Sequence, residues 1–347
     1  MTLLQGTSAA TGPVHVVIDN ALAPYAEYRA FRRGALGRDA YCRWTGSGAV
    51  TPSEVGLNTD QFNLSTRFPV DEQACAHRIL DGLKKAGFIG STAYPAGEFA
   101  AFRAMLSARF RHGAYATYIF PEEARLLFAL AHILAPRNAL FPGSYYGYWA
   151  VWAMPGIMAA GGRATLVDVD ADSMRLAQEN FAALGLSGHV AYVTADAVPY
   201  GRTVEDVDLC VLDAEGPKDA EDPALRDKAV YAPIMRATTP GLREGCLLVA
   251  HNMLLENLTD NRYFAERIVA NEAQYAAFHE HVHECYDLRA VCPTSEGVGI
   301  YRKSNDARVP SRQDLRKRRP TARKETRSVP PPVHLGVCDR GSPRQDR

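Results

Sequence analysis

Polar side chains stand at the ends of four apolar runs in the middle of the sequence. They are Asp168, Asp196, Asp213 and the pair His251–Asn252. A carboxylate in such a place can accept both hydroxyls of a ribose or meet the amine edge of an adenine. The plainer alternatives are a turn residue for Asp196 and a solvated strand end for Asp168 or Asp213. The alignment of all these residues at strand ends favours a shared ligand site.

A fifth run, Ala139–Phe141, is followed by a turn with a glycine near each end. The turn reads Pro142-Gly143-Ser144-Tyr145-Tyr146-Gly147. The two glycines allow a tight bend and a close approach of the backbone to a ligand, so Gly143, Ser144, Tyr145 and Gly147 are candidate cofactor contacts. Asp168 follows Gly143 by 25 residues. The turn matches neither GxGxxG nor a P-loop, which argues against an NAD-dependent oxidoreductase.

A sheet would bring these residues together, and the sequence predicts one. Pro121-Glu122-Glu123 is a good helix start, and a second helix ends at Gly185. Apolar runs that start roughly 20 to 40 residues apart, with helices between them, are typical of right-handed βαβ crossovers. Tyr286–Cys292 and Gly297–Arg302 predict an antiparallel pair at the sheet edge. The predicted fold class is α/β, a Rossmann-like doubly wound and mostly parallel sheet, in which ligands bind beyond the carboxyl ends of the strands.

The charge of the chain is distributed unevenly. Its 347 residues include 39 Lys and Arg and 39 Asp and Glu, but residues 304–347 hold 12 basic and 5 acidic side chains, which leaves 27 basic and 34 acidic residues before them. An acidic body argues against nucleic-acid binding. We divide the chain into a helical N-terminal region at 1–95, which caps the site or forms a homodimer contact, a ligand-binding domain at 96–303 and a disordered basic tail at 304–347.

Cysteine content and hydropathy bear on the cellular location of the protein. Seven scattered cysteines without a CxxC pair favour a reducing, cytoplasmic setting. The uncharged stretch Ala139–Gly162 is interrupted by prolines and glycines, so we expect a buried strand, a turn and a buried helix there. No membrane partner is expected.

Two other groups of residues have both a functional and a plain interpretation. His279, His281 and His283 have the spacing of one strand face and suggest a metal site, although a solvated or helical surface is the simpler interpretation. Aromatic residues of the N-terminal region suggest a pocket for an aromatic molecule, but are more typical of a core. They are Tyr25, Tyr28, Phe31, Tyr41, Trp44 and Phe62.

The ordered motifs resemble class I S-adenosylmethionine-dependent methyltransferases, in particular the catechol and caffeoyl-CoA O-methyltransferase-like group. Gly143–Ala150 resembles the first glycine loop of that group, of the form GxYxGYSA. Leu166–Asp170 resembles the segment with the ribose-binding acid, and Ala195–Ala197 resembles the adenine-side motif. Cys210–Ala214 and Gly245–Leu254 resemble the segments with the metal ligands.

The resemblance covers roughly residues 115 to 303 and implies a seven-stranded sheet. It implies methyl transfer from S-adenosyl-L-methionine to a hydroxyl of a small-molecule acceptor, in secondary metabolism. An N-methyltransferase and a catalytically silent cofactor-binding homologue are the alternatives. The cofactor contacts that it implies are Gly143, Ser144, Tyr145, Gly147, Asp168, Asp196 and Asp213.

The main departure from the group lies where its Asp-Asn metal pair would be, because this chain has His251–Asn252. One interpretation is that Asp213, His251 and Asn252 hold a divalent metal ion such as Mn²⁺, Fe²⁺ or Zn²⁺. The other is that no metal is used and His251 is the general base. Lys218 is the candidate for the proton-accepting lysine of the group. Phe141 and Trp149 also replace polar residues of the group near the methionine end of the cofactor.

Overall fold

The computed structural model describes residues 11–254, 258–259, 261–304 and 333–334. The helices are α1 Val14–Leu22, α2 Ala26–Arg32, α3 Arg38–Gly46, α4 Thr59–Leu64, α5 Glu72–Lys85, α6 Ala96–Arg109, α7 Pro121–Leu134, α8 Ala150–Ala159, α9 Ala171–Ala183, α10 Ala197–Gly201, α11 Tyr231–Thr238 and α12 Arg262–Cys285. The strands are β1 Gly12–Pro13, β2 Ala116–Thr117, β3 Asn138–Pro142, β4 Arg163–Asp168, β5 Val190–Thr194, β6 Val207–Leu212, β7 Leu242–Ala250, β8 Tyr286–Cys292, β9 Val298–Lys303 and β10 Val333–His334.

The main sheet has the strand order β10-β8-β9-β7-β6-β3-β4-β5. Strands β3 to β7 pair in parallel, whereas β9 runs antiparallel to both β7 and β8. The predicted α/β, doubly wound and mostly parallel sheet is therefore confirmed, as is the antiparallel pair. The chain order reverses between β3 and β6, which is the switch point where such sheets bind ligands.

The sheet differs from the expected seven strands at one edge. Val333–His334 pairs in parallel with β8 as an eighth strand of the described residues. This short strand belongs to the segment predicted as a disordered tail; residues 305–332 and 335–347 of that prediction lie outside the described part of the chain.

The apolar runs form strands because helices cover both faces of the sheet. In β6, Leu209 and Val211 pack with α7 and α8, and the alternate residues Cys210 and Leu212 pack with α11 and α12. Successive side chains of a strand point to opposite faces, so a strand covered on both sides needs a continuous apolar sequence. The switch-point edge, where the strands end, is thus the part of the sheet left for polar residues.

The N-terminal region contains helices α1 to α5, and its aromatic residues form a core. The Phe31 and Tyr41 rings stack with centroids 4.5 Å apart, and both side chains are buried. The expected boundary at residue 95 does not coincide with a change in packing, because Ile79 and Leu83 of α5 belong to the same apolar cluster as α7 and α8. The aromatic residues thus stabilise the fold and leave the walls of any acceptor pocket to other residues.

The remaining two expectations about segments are also settled by secondary structure. The uncharged stretch Ala139–Gly162 forms most of β3, a turn and α8, and none of the helices in the described ranges has the length and hydropathy needed to cross a bilayer. His279, His281 and His283 lie on α12, as in the helical interpretation. The buried His281 ring pairs with Thr239 Oγ1 at 2.8 Å, which gives it a structural partner.

Candidate functional site

The glycine turn between β3 and α8 is closely packed on both sides. Gly143 has φ 72°, and a Cβ there would lie 2.2 Å from Ala214 Cα. Gly147 has φ 81°, and a Cβ there would lie 2.7 Å from a ring carbon of Phe181. Both the backbone conformation and the space therefore require glycine. Two backbone hydrogen bonds connect the turn to β4, since Gly143 N and Ser144 N both donate to the carbonyl of Val167, at 2.9 and 3.1 Å.

Asp168 lies beside this turn at the end of β4. Its Oδ2 accepts a hydrogen bond from Tyr145 N at 2.7 Å and its Oδ1 accepts one from Asp170 N at 3.0 Å. Burial raises the pKa of this carboxyl, while the two backbone donors oppose that shift. The carboxylate is thus fixed in orientation, and each oxygen keeps a lone pair for a ligand. Val169, which is 70% exposed, places an apolar surface next to it.

Asp196 follows β5 at the same edge. Its Oδ1 accepts a hydrogen bond from Val198 N at 2.7 Å and caps the short helix α10. The residue is exposed, and none of the described residues pairs with Oδ2. Asp196 is therefore both a cap, close to the turn role considered from the sequence, and a carboxylate with one oxygen free for a ligand.

A narrow pocket of about 30 Å³ opens between the glycine turn, β6 and α8. Its walls include Phe141, Gly143, Tyr145, Trp149 and Asp213. A cavity of about 10–15 Å³ on this measure holds one water molecule, so this pocket holds about two, and a larger ligand has to lie across the mouth or displace Tyr145, which is 41% exposed there. Ser144 also reaches the pocket, and its hydroxyl points to Met174 Sδ at 3.6 Å.

His251 is held between two carboxylates behind this pocket. Its Nδ1 lies 3.3 Å from Asp213 Oδ2 and its Nε2 lies 3.1 Å from Glu123 Oε2, and the side chain is 1% exposed. Burial alone would lower the pKa of His251, but Asp213 and Glu123 outweigh it and raise this pKa to about 10. The raised pKa favours the protonated ring. Both ring nitrogens face carboxylates of the chain, and the expected role of His251 as general base stays a prediction.

Glu123 is the part of this arrangement that the sequence did not reveal. Its Oε1 accepts hydrogen bonds from Thr294 Oγ1 at 2.7 Å and Glu296 N at 3.0 Å, and its Oε2 accepts one from Phe120 N at 2.9 Å. In the sequence, Glu123 is recognisable only as one of two acidic residues at the start of α7. Acidic residues at this position are also common in exposed helices. Only its contacts with the β8–β9 turn and with His251 reveal that Glu123 is fully buried.

The expected metal ligands do not form a metal site. Asp213 already faces two cations, one of which is His251. Asn252 has φ 56°, and its amide donates to Glu296 Oε2 at 3.5 Å. Because Asp213 lies against His251 and the Asn252 amide faces Glu296, these side chains are not arranged around a common cation position. The described ranges hold no cluster of three His, Cys, Asp or Glu side chains arranged for one.

The second cation at Asp213 is a lysine, but a different one from that expected. Lys218 is exposed in the loop after β6, whereas Lys228 Nζ lies 3.2 Å from Asp213 Oδ1 and 3.1 Å from the carbonyl of Ala214. Burial alone would raise the pKa of Asp213, but His251 and Lys228 hold it below its usual value. Asp213 is therefore a carboxylate, and the lysine that lies beside it is Lys228 and not the expected Lys218.

Comparison with known proteins gives structural similarity only. The sequence matches no protein-family model and no curated protein. The structure is similar to a methyltransferase from Geobacter sulfurreducens, at 20% identity over 67% of this chain and 98% of that one, with a TM-score of 0.41. It is also similar to the O-methyltransferase from Bacillus cereus solved with S-adenosylhomocysteine, at 14% identity over 67% of this chain and 100% of that one, with a TM-score of 0.41.

A third similar structure is a methyltransferase from Podospora anserina bound to S-adenosylhomocysteine. The identity is 16%, over 69% of this chain and 98% of that one, and the TM-score is 0.46.

Proposed function

We propose that this chain is an S-adenosylmethionine-dependent methyltransferase that acts on a hydroxyl of a small molecule. The observation that carries the proposal is the fixed carboxylate of Asp168 beside the glycine turn, at the switch point of the sheet. A carboxylate that keeps two acceptor positions at this edge of the sheet suits a ribose with two neighbouring hydroxyls.

The residues at this edge fit the parts of the cofactor. Asp168 would accept the ribose hydroxyls, the apolar surface of Val169 would lie against the adenine, and the free oxygen of Asp196 would accept from the adenine amine. The turn from Gly143 to Gly147 would lie along the methionine and ribose. S-adenosylmethionine, when bound, supplies a methyl group on a positively charged sulfur.

The acceptor would enter at the Asp213 end of the pocket. The chain has to hold the acceptor oxygen in line with the methyl group and the sulfur, and to keep water from the reaction. The buried aromatic wall around Trp149 suits the second task. Because His251 is buried behind this wall, it supports Asp213 and does not touch the acceptor.

Binding of S-adenosylhomocysteine to the full chain, measured by isothermal titration calorimetry, tests the cofactor assignment. We expect S-adenosylhomocysteine to bind and NADH not to bind. Asp168→Ala should weaken binding about 10- to 100-fold, since it removes hydrogen bonds to a charged group. Asp172→Ala is the matched control, because Asp172 lies four residues further on with its side chain 76% exposed. NADH binding without S-adenosylhomocysteine binding would refute the proposal, and so would an unchanged affinity in Asp168→Ala.

A further inference from the structure

The loop between β6 and α11, residues 213–230, folds back on itself, so that the side chain of Lys228 reaches the end of β6. Gly216 and Asp227 exchange two backbone hydrogen bonds, at 2.9 and 3.1 Å, and close the loop. A Cβ at Gly216 would lie 1.7 Å from the carbonyl oxygen of Leu225, so only glycine fits there. Asp227 has φ 46° and ψ −131°, an unfavourable conformation for a residue with a side chain. Such strain is concentrated at functional sites, and the residue that follows it is Lys228.

The ammonium group of Lys228 is held in place by the end of β6. It donates to Asp213 Oδ1 at 3.2 Å and to the carbonyl of Ala214 at 3.1 Å, and it lies 5.5 Å from the centre of the Tyr231 ring. The side chain is only 12% exposed. Glu215 Oε2 lies 3.9 Å from the ammonium nitrogen, beyond hydrogen-bond distance. An ammonium group has three hydrogens, and two of them are used by Asp213 and Ala214, so one remains for a ligand beside Asp213, which lines the pocket.

The charges around Asp213 leave no place for a metal ion. Lys228 Nζ lies 3.2 Å from Oδ1, and His251 Nδ1 lies 3.3 Å from Oδ2. A divalent cation on this carboxylate would have to displace both neighbours. The positive charge that a metal ion would bring to an acceptor oxygen is already supplied by the chain itself.

We infer that Lys228 is the catalytic cation of this site: its ammonium contacts the acceptor oxygen and stabilises the anionic form in place of a divalent metal ion. The inference rests on the proposed methyl transfer. The acceptor's O–H bond breaks and its proton leaves to water, so that the oxygen is an anion held by Lys228. The oxygen then forms a bond to the methyl carbon while the carbon–sulfur bond breaks, and its electron pair stays on sulfur. The products are the methyl ether and neutral S-adenosylhomocysteine.

This arrangement selects the class of acceptor. One ammonium, shared with Asp213, stabilises an oxyanion less than a divalent ion does, so the hydroxyl has to be acidic: a phenol or an enol, and not an alkyl alcohol. The acceptor needs no second, neighbouring hydroxyl, because there is no metal ion to chelate. The aromatic side chains of Tyr145, Tyr148 and Trp149 in the pocket walls suit a planar ring.

The test uses 4-nitrophenol, whose phenolate is coloured, with the full chain and saturating S-adenosylhomocysteine. We expect the spectroscopic pKa of the bound probe to fall by about one unit, a tenfold change in proton dissociation. The shift should be lost in Lys228→Met, kept in Lys228→Arg and unaffected by EDTA. No shift with the unmodified chain, a shift that survives in Lys228→Met, or a shift that EDTA removes would each overturn the inference. Loss of the shift in Lys218→Met alone would overturn it too.

Calorimetry on the same samples separates this inference from the proposed function. If the unmodified chain does not bind S-adenosylhomocysteine, the proposed function fails. If it binds and the pKa shift of the bound probe is the same in Lys228→Met, only the proposed role of Lys228 is refuted. Should Lys228→Met no longer bind S-adenosylhomocysteine, the double variant Lys228→Met/Asp213→Asn replaces it, because that variant leaves no unpaired carboxylate. With an acceptor found by screening phenols, Lys228→Met should lower kcat about 100- to 1000-fold.

Discussion

Gly143 shows at the scale of one residue how closely the site is fitted to the fold. Its φ of 72° disfavours any side chain, and a Cβ would also lie 2.2 Å from the backbone of Ala214. Gly161 has a similar φ of 67°, but nothing lies within 4 Å of a Cβ there. A comparison of alanine substitutions at the two positions therefore separates the free-energy cost of the left-handed backbone from the cost of the steric overlap.

We predict that Gly143→Ala abolishes S-adenosylhomocysteine binding and that Gly161→Ala leaves it unchanged. Gly161→Ala should lower the free energy of unfolding by about 1–2 kcal/mol, the cost of a left-handed conformation for alanine. Gly143→Ala should lower it by more, because the loops before α8 and after β6 have to move apart. Urea unfolding and calorimetry measure both effects. Equal losses of stability in the two variants would contradict the close packing of this turn.

At the scale of elements, the β8–β9 turn joins the N-terminal region to the site. Arg67, which is 2% exposed, donates from Nε to the carbonyl of Ser295 at 2.7 Å and from an Nη to the carbonyl of Thr294 at 3.1 Å. The same turn donates to Glu122 and Glu123 at the start of α7. Elements far apart in the sequence thus hold the carboxylate that pairs with His251.

We predict that Arg67→Met lowers the free energy of unfolding by about 3 kcal/mol, because it removes two charge-assisted hydrogen bonds and leaves buried carbonyls without a donor. Arg262→Ala is the matched control, since its ion pair with Glu266 is 91% and 64% exposed. That change should cost about 0.5 kcal/mol or less. Urea unfolding followed by circular dichroism measures both. If Arg67→Met cost no more than Arg262→Ala, the turn would not depend on this arginine.

At the scale of the whole molecule, the buried charges make stability depend on pH. The pKa of His251 is raised from 6.5 to about 10 in the fold, so the folded chain holds this proton more tightly than the unfolded chain. The stabilisation is complete below pH 6.5 and is lost as the pH rises towards 10. Burial, together with Glu123, raises the pKa of Glu122 to about 7. The stabilisation of the fold that comes from protonated Glu122 is therefore lost as the pH rises to about 7, and it does not change the slope above that pH.

We therefore predict that the free energy of unfolding falls between pH 7 and pH 10, and that the fall is smaller in His251→Gln/Glu123→Gln. The double variant removes the imidazolium together with one of its carboxylates, so that fewer buried charges are left without a partner. Urea unfolding at several pH values measures the slope. Buried tyrosines and cysteines titrate alike in both proteins and cancel in the comparison. Identical slopes would show that His251 is not charged in the folded state.

The sequence by itself determined the sheet, its helices and the acids at its edge. Continuous apolar runs such as that of β6 are local patterns, and a strand buried on both faces needs nothing else to be recognised. Asp168 and the glycine turn follow from the same local order, because the chain position of a strand end fixes where its next residue lies.

Only the tertiary structure decided which groups His251 and the lysine beside Asp213 contact. His251 and Glu123 are 128 residues apart, and no local pattern records that a carboxylate from α7 will meet that ring. Lys228, and not Lys218, reaches Asp213 because the Gly216–Asp227 pair folds the loop back on itself. The protonation and reach of a side chain depend on the charges and backbone packed around it, and in this protein those come from distant parts of the chain.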